Sequence, residues 1–210
     1  MATKKRVTPR FKTQRRLGSE LPGLGKAGAL ERKPYPPGEH GAKRRKYSNY
    51  ALQLEEKQKV MKNYCLREKQ LRRFIRDAKS GSSSNWVNKL AGRLELRLDN
   101  VVFRLGFAPS IRAAKQLISH GHIVLNGKKH DVSSAVLKVG DEVSIRAKSL
   151  EHQVYLHAKD NPRMEVPAHL TKETKENAEV GKVVSVPGIE AIPFPFQSGL
   201  FTEYYSLRKA

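Results

Sequence analysis

Few groups in this chain could carry out a reaction. Gly23-Leu24-Gly25-Lys26-Ala27-Gly28 has the spacing of a glycine loop whose backbone amides approach a dinucleotide pyrophosphate. That chemistry needs a strand before the loop and a βαβ unit around it, and neither is written here. As a P-loop the stretch also fails, because Glu20 stands where the first glycine belongs and Ala27 replaces the required Ser or Thr. An arm that hugs phosphates through its backbone amides suits these glycines better. His120 and His122 flank Gly121 and could begin a metal site, but no cysteine lies near them. RNA contact or a simple helix end is the better reading. Cys65 has no evident partner base and reads as a buried helix cysteine. Tyr47, Tyr50 and Tyr64 could stack on bases, though helix packing suits them at least as well. No metal, cofactor or catalytic residue is expected.

What the chain has in excess is cations. It carries 41 Lys and Arg against 20 Asp and Glu in 210 residues, a net charge of +21. Such an excess repels itself unless a polyanion neutralises it, and nucleic acid is the obvious one. A membrane surface would need a long apolar run or an amphipathic basic helix, and neither is present. The charge is uneven. Residues 1–46 hold 14 basic and 3 acidic side chains, a net +11, whereas residues 47–93 carry +7 and residues 94–210 only +3. The first segment reads as an RNA-embedded arm and the last as an ordinary globular unit. A single cysteine excludes an internal disulfide and fits a reducing cytosol. The start has no apolar stretch of a secretory signal. A transit segment would share its basic, acid-poor character as far as Glu20, but the Pro- and Gly-rich text that follows reads as mature protein.

The positioning elements can be read from caps and periodicity. Residues 1–46 hold five prolines and six glycines, too few apolar groups to fold alone, so order is expected only against a partner. Ser48 is a good N-cap for a helix through Leu52, Val60 and Tyr64. A second helix spans 66–78 with Leu71, Phe74 and Ile75 inward, and after a Ser- and Gly-rich break at 80–84 a third runs from Trp86 to Leu94. Leu98, Val101, Val102 and Leu105 form the inward stripe of a short helix closed by Gly106. Ser110 caps the next, which buries Ile111, Ala114, Leu117 and Ile118, turns Arg112 and Lys115 outward and stops at Gly121. A strand at 122–125 then meets Asn126-Gly127, a strong hairpin signal. Gly140-Asp141 turns into a strand at 142–146, so residues 97–146 form an α+β module with a small antiparallel sheet. The signal weakens over 150–197, with charged text to Glu179 and then Val183-Val184-Ser185-Val186 between Gly181 and Pro187. The ending through Phe201, Tyr204 and Tyr205 is apolar enough to dock.

The module resembles the small RNA-binding domain named after ribosomal protein S-four. The match runs through Arg97-Leu98-Asp99-Asn100, Arg104, Gly106-Phe107-Ala108, Ser110, Ala114-Lys115-Gln116-Leu117-Ile118, His120-Gly121-His122-Ile123 and Asn126-Gly127-Lys128. Several RNA-binding families share that pattern. Three further matches narrow it: the turn Pro37-Gly38-Glu39-His40-Gly41, the helix text from Ser48 to Lys59, and the ending Glu203-Tyr204-Tyr205-Ser206. Together they resemble the bacterial-type S-four family of the small ribosomal subunit.

The resemblance implies an α+β fold with a basic extended arm at 1–46. It also implies a helical domain from 47–94 plus 190–210, with the RNA-binding module inserted at 95–189. It further implies early binding of small-subunit ribosomal RNA in assembly, lining of the channel through which messenger RNA enters, contact with the neighbouring S-five protein, and an influence on decoding accuracy in the cytoplasm. Candidate RNA contacts are Arg97, Arg104, Ser110, Arg112, Lys115, Gln116, His120, His122, Asn126 and Lys128 in the module. Lys43, Arg44 and Lys46 are candidates for the messenger, and Arg45, Lys57, Lys59, Arg10, Arg15 and Arg16 complete the set. Some family members carry a zinc-binding cysteine cluster near the N-terminus, which this chain lacks. Residues 150–180, Leu125 and His130 depart from the family pattern.

Two other readings compete. An RNA-modifying enzyme with this module as an appendage would need a catalytic domain in about 110 remaining residues, too few for a typical one. Gly92-Arg93-Leu94-Glu95 also puts Glu where a pseudouridine synthase needs Asp. A heat-shock or ribosome-rescue factor would join ribosomes only under stress.

Overall fold

In a computed structural model the described residues are 9–43, 46–80, 85–175 and 178–206. Arg44, Arg45, most of the Ser- and Gly-rich break and the last four residues lie outside them. Eight α-helices are described: α1 (Arg10–Leu17), α2 (Asn49–Asn63), α3 (Glu68–Lys79), α4 (Trp86–Glu95), α5 (Leu98–Arg104), α6 (Ile111–Ser119), α7 (Gln153–Asp160) and α8 (Ser198–Ser206). The strands are β1 (Ile123–Leu125), β2 (Lys128–His130), β3 (Glu142–Ile145), β4 (Leu170–Lys175) and β5 (Ala178–Val183). The fold is α+β.

The local signals work as expected. Ser48 Oγ accepts from Ala51 N at 3.3 Å and Ser110 Oγ from Ala113 N at 3.2 Å, satisfying donors that each helix start leaves open. Asn126 and Gly127 turn with φ of 49° and 77°, the left-handed pair of a tight hairpin. Asn126 also locks the next turn: its amide donates to Asp141 at 2.8 Å while its oxygen accepts from Glu142 N.

The sheet is larger than the sequence pattern implied. Its order is β2-β1-β3-β5-β4 with all neighbours antiparallel, so the β4–β5 hairpin extends the expected strands. Of the apolar run at 183–186 only its first residue joins the sheet: Val183 ends β5 and is buried, whereas Val184 and Val186 are exposed. A Cβ on Gly181 would overlap Leu105 Cδ1, so glycine here lets the Leu105 side chain, just past α5, lie directly on β5. Helix α7 buries Tyr155 and Ala158, and the Tyr155 hydroxyl donates to Glu179 at 2.8 Å. Burial would raise the Glu179 pKa, but hydrogen bonds from Lys172 and Tyr155 and the charges of Lys172 and Lys159 hold it below the usual range.

One hydrophobic cluster runs through the molecule, joining α2, α3, α4, α5, α6 and α8 to the sheet. The arm shares in it. Leu17, Leu21 and Leu24 are buried there, and a fully buried leucine is worth about 1.5–3 kcal/mol before ordering entropy is subtracted. Their side chains seat α1 and a short 3-10 turn (Pro22–Leu24) against α2 and α6, where Gly23 N donates to Asn63 Oδ1 at 3.0 Å. The arm therefore has structure against its own chain, which its Pro and Gly content had hidden. Arg15 holds the arm's later turn by donating to the Lys33 and Tyr35 carbonyls.

Two buried ion networks pin the elements together. Glu95, fully buried, accepts from Tyr64 of α2, from Asn100 Nδ2 at 2.9 Å and from Arg104 Nε at 3.0 Å. Arg104 also donates to the Ala191 carbonyl. Arg97 makes a two-pronged pair with Asp99 at 3.1 and 2.8 Å and lies over the Phe74 ring of α3.

His169 sits beside the first network, 4% exposed, with Nε2 lacking a hydrogen-bond partner among the described residues. Burial lowers its pKa, and Arg104 lowers it further against the opposing pull of Glu95 and Glu190. A depressed histidine binds fewer protons folded than unfolded once pH falls through the unfolded value of about 6.5. Stability is therefore expected to fall between about pH 7.5 and 5.5, and His169→Gln to flatten that fall, as urea midpoints at the two pH values would show.

Candidate nucleic-acid interface

A positive site lies where the arm, the α2–α3 junction and α6 meet. A cavity of about 250 Å³ there is lined by Arg10, Lys62, Arg67, Arg112 and Lys115, with Leu24 and Met61 as apolar wall. At about 30 Å³ per water, it has room for a hydrated phosphate. Helix packing explains the convergence. Arg112 and Lys115 stand three apart on α6; Lys62 lies in the last turn of α2; Arg67 immediately precedes α3 as its N-cap; Arg10 begins α1. Arg10, Lys62, Arg67 and Arg112 have no ion-pair partner, and so no compensating contact, among the described residues. Lys115 differs: its Nζ donates to the Cys65 carbonyl at 2.9 Å and lies 3.4 Å from Asp99. Cys65 itself is partly exposed with φ of 50°, in the α2–α3 connection and not in a helix, which corrects the sequence expectation.

A second polar face follows α6 to the hairpin. Gln116 and His120 are exposed, and the His120, His122 and His152 rings form a row with centroids 6.1 and 4.7 Å apart. His122 Nδ1 is 2.8 Å from Ser149 Oγ. Burial lowers the His122 pKa, and the charges of His152, His120 and Arg146 lower it further. Lys128 is exposed on the hairpin, while the stem of Lys129 covers Gly121 at the end of α6. No group of three or more His, Cys, Asp or Glu able to hold a metal occurs among the described residues.

Several other expected contacts are used inside the fold. Arg97 and Arg104 are 2% and 4% exposed and spend their donors on Asp99 and Glu95, so neither faces outward. Ser110 is buried as the cap of α6. Lys57 bonds the Tyr204 hydroxyl at 3.2 Å and Glu68 at 3.0 Å, tying α2 to α8 and α3. Lys59 pairs with Glu56 at 2.6 Å. Arg15 is committed to arm carbonyls and Arg16 donates to Gln58. Lys43 and Lys46 are exposed, and Arg44 and Arg45 between them lie outside the described residues. Tyr64 is buried on Glu95 and Tyr50 stacks on Tyr204, whereas Tyr47 stands exposed. Lys62 and Arg67 were missed by sequence reading; the signal available was their place at the two ends of one short helix connection. No helix among the described residues is long and apolar enough to cross a membrane.

Residues 96–143 match the S4 domain family, and residues 5–98 match the ribosomal protein S4/S9 N-terminal domain family. The chain is 56% identical over 201 residues to small ribosomal subunit protein uS4B of Bdellovibrio bacteriovorus, a match covering 96% of this chain and 97% of that protein. Small ribosomal subunit protein uS4 of Methylobacillus flagellatus is 45% identical over 95% of this chain and 97% of its own length. The Nostoc sp. uS4 protein is 44% identical over 94% of this chain and 96% of its own. The two matched domains lie end to end and the relatives align over nearly the whole length, so the chain belongs to the small ribosomal subunit protein uS4 family.

Proposed function

We propose that this chain is a structural, RNA-binding constituent of the small ribosomal subunit in the cytoplasm, and that it holds small-subunit ribosomal RNA by its phosphates. The observation that carries this reading is the cavity where Arg10, Lys62, Arg67, Arg112 and Lys115 meet with little acidic charge to balance them. Phosphate contacts of this kind position a protein on RNA, and groups such as Gln116, His120, His122 and Lys128 along the same helix and hairpin suit sugars and base edges. The buried Arg97 and Arg104 keep α5 in place and so support the face without touching RNA. Exposed Lys43 and Lys46, with Arg44, are the proposed contact to messenger RNA at its channel, and a neighbouring S-five protein completes the proposed surroundings.

The test is binding of the pure protein to its own small-subunit ribosomal RNA in a salt titration with competitor RNA. Tight binding that survives competitor is expected. Binding that any RNA competes away would mean that charge alone acts, and the reading would give way to a stress-recruited ribosome-rescue factor.

A further inference from the structure

A second cavity, of about 210 Å³, lies between α1 and α2 and differs in chemistry from the first. Ala51 and Leu54 give it an apolar floor, and Pro36 and Tyr47 stand at its rim. Its polar groups are Arg16, Glu55 and Gln58. Tyr47 is 43% exposed and has no ring partner among the described residues, unlike Tyr50, which stacks on Tyr204. Gln58 is fixed by the Arg16 hydrogen bond to its oxygen, which leaves its amide as donor. Glu55 is half-buried and its side chain makes no hydrogen bond or ion pair among the described residues; burial raises its pKa against the charges of Lys59 and Arg16.

A carboxylate in that position is informative. On a cationic face that meets RNA phosphates, Glu55 repels backbone and can only accept hydrogen bonds. It therefore favours a nucleobase edge over a phosphate. Guanine is the base whose Watson–Crick edge presents two adjacent donors, N1–H and the N2 amino group. Adenine and cytosine offer one amino group beside an acceptor nitrogen, and uracil one N–H between two carbonyls. Single-stranded RNA is read by splayed bases that stack on aromatic rings and bond through these edges.

The two cavities also share a seam. Arg10 and Arg16 lie on α1, while Lys62 and Glu55 lie on α2 in the reverse order. At 1.5 Å per residue the two pairs are about 9 and 10.5 Å apart along their helices, so one strand can reach both cavities. We propose that this slot binds one unpaired guanine of single-stranded RNA, with Tyr47 stacking on its ring, Glu55 accepting from N1 and N2, and Gln58 donating to O6. The proposal rests on the RNA-binding reading above, and either ribosomal or messenger RNA could supply the base.

Kethoxal, which attacks the N1–N2 edge of unpaired guanine, tests it on small subunits carrying the wild-type chain, Glu55→Gln or Tyr47→Ala, with and without a guanine-containing message. One guanine protected in the wild type should become roughly tenfold more reactive in Glu55→Gln, the worth of one good base-edge pair. Protection without message assigns the base to ribosomal RNA, and protection only on adding message assigns it to the messenger. Unchanged reactivity at every guanine overturns the proposal. If all three chains are still present at one copy per subunit, that failure leaves the RNA-binding reading intact. If none of them is on the subunit, both fall.

Discussion

Replacing Glu95 with alanine is expected to lower the unfolding free energy by about 3–5 kcal/mol, the cost of removing one partner from a buried ion pair. Glu95 has no exposure and takes hydrogen bonds from three side chains, those of Tyr64, Asn100 and Arg104. Without it, the Arg104 guanidinium stays buried with a carbonyl and the Met164 sulfur as its remaining hydrogen-bond partners among the described residues. The Tyr64 hydroxyl, whose pKa burial and then Glu95 push well up, loses its acceptor as well. Arg104→Ala alone is also expected to destabilise, and the double variant to cost less than the two singles summed, because the orphaned charge is gone. Urea midpoints without RNA would measure all three. They also decide the role of Arg104. A variant that unfolds normally but binds RNA poorly would return Arg104 to the interface, against the internal role its burial assigns.

What the sequence made legible follows from the range of each signal. Ser48 and Ser110 caps, the Gly106 and Gly121 stops and the Asn126-Gly127 turn act within a few residues, so pattern reading finds them. Strands β4 and β5 escape because their text is mostly Thr, Lys, Glu and Gly; Leu170 and Val183 supply the buried anchors at one end of the hairpin. The arm is a similar case. Leu17, Leu21 and Leu24 carry helical spacing, but Pro and Gly around them dominate a composition argument. For the interface, Arg112 and Lys115 could be paired from helical spacing alone, whereas Lys62 and Arg67 reach the cavity through packing between distant segments. Arg97 and Arg104 misled for a physical reason. Net charge counts cations without regard to burial, and only an acid close by (Asp99 after Arg97, Glu95 before Arg104) hinted that these two are neutralised inside.

Arg67→Glu combined with Arg112→Glu is expected to weaken ribosomal RNA binding by about forty-fold at 0.1 M salt. Each phosphate contact carries a log–log salt slope of about 0.7–0.9, so at 0.1 M one contact is worth roughly 0.8 of a decade and two roughly 1.6. The slope itself should fall by about 1.4–1.8, with repulsion from the new carboxylates adding to the loss of affinity. Lys115 is a poorer target than Arg67, although it shares α6 with Arg112. Reversing Lys115 would set a second carboxylate beside buried Asp99 and break its bond to the Cys65 carbonyl, mixing a stability loss into the binding result. Arg67 and Arg112 are exposed and unpaired among the described residues, so the double variant should keep its unfolding free energy, read from urea melts, to within about 0.5 kcal/mol. A stable variant with an unchanged slope would remove these two residues from the RNA surface and leave the cavity without its proposed role. A stable variant whose slope falls by the expected amount would tie both side chains to phosphate, because a merely positional effect lowers affinity without releasing fewer counterions.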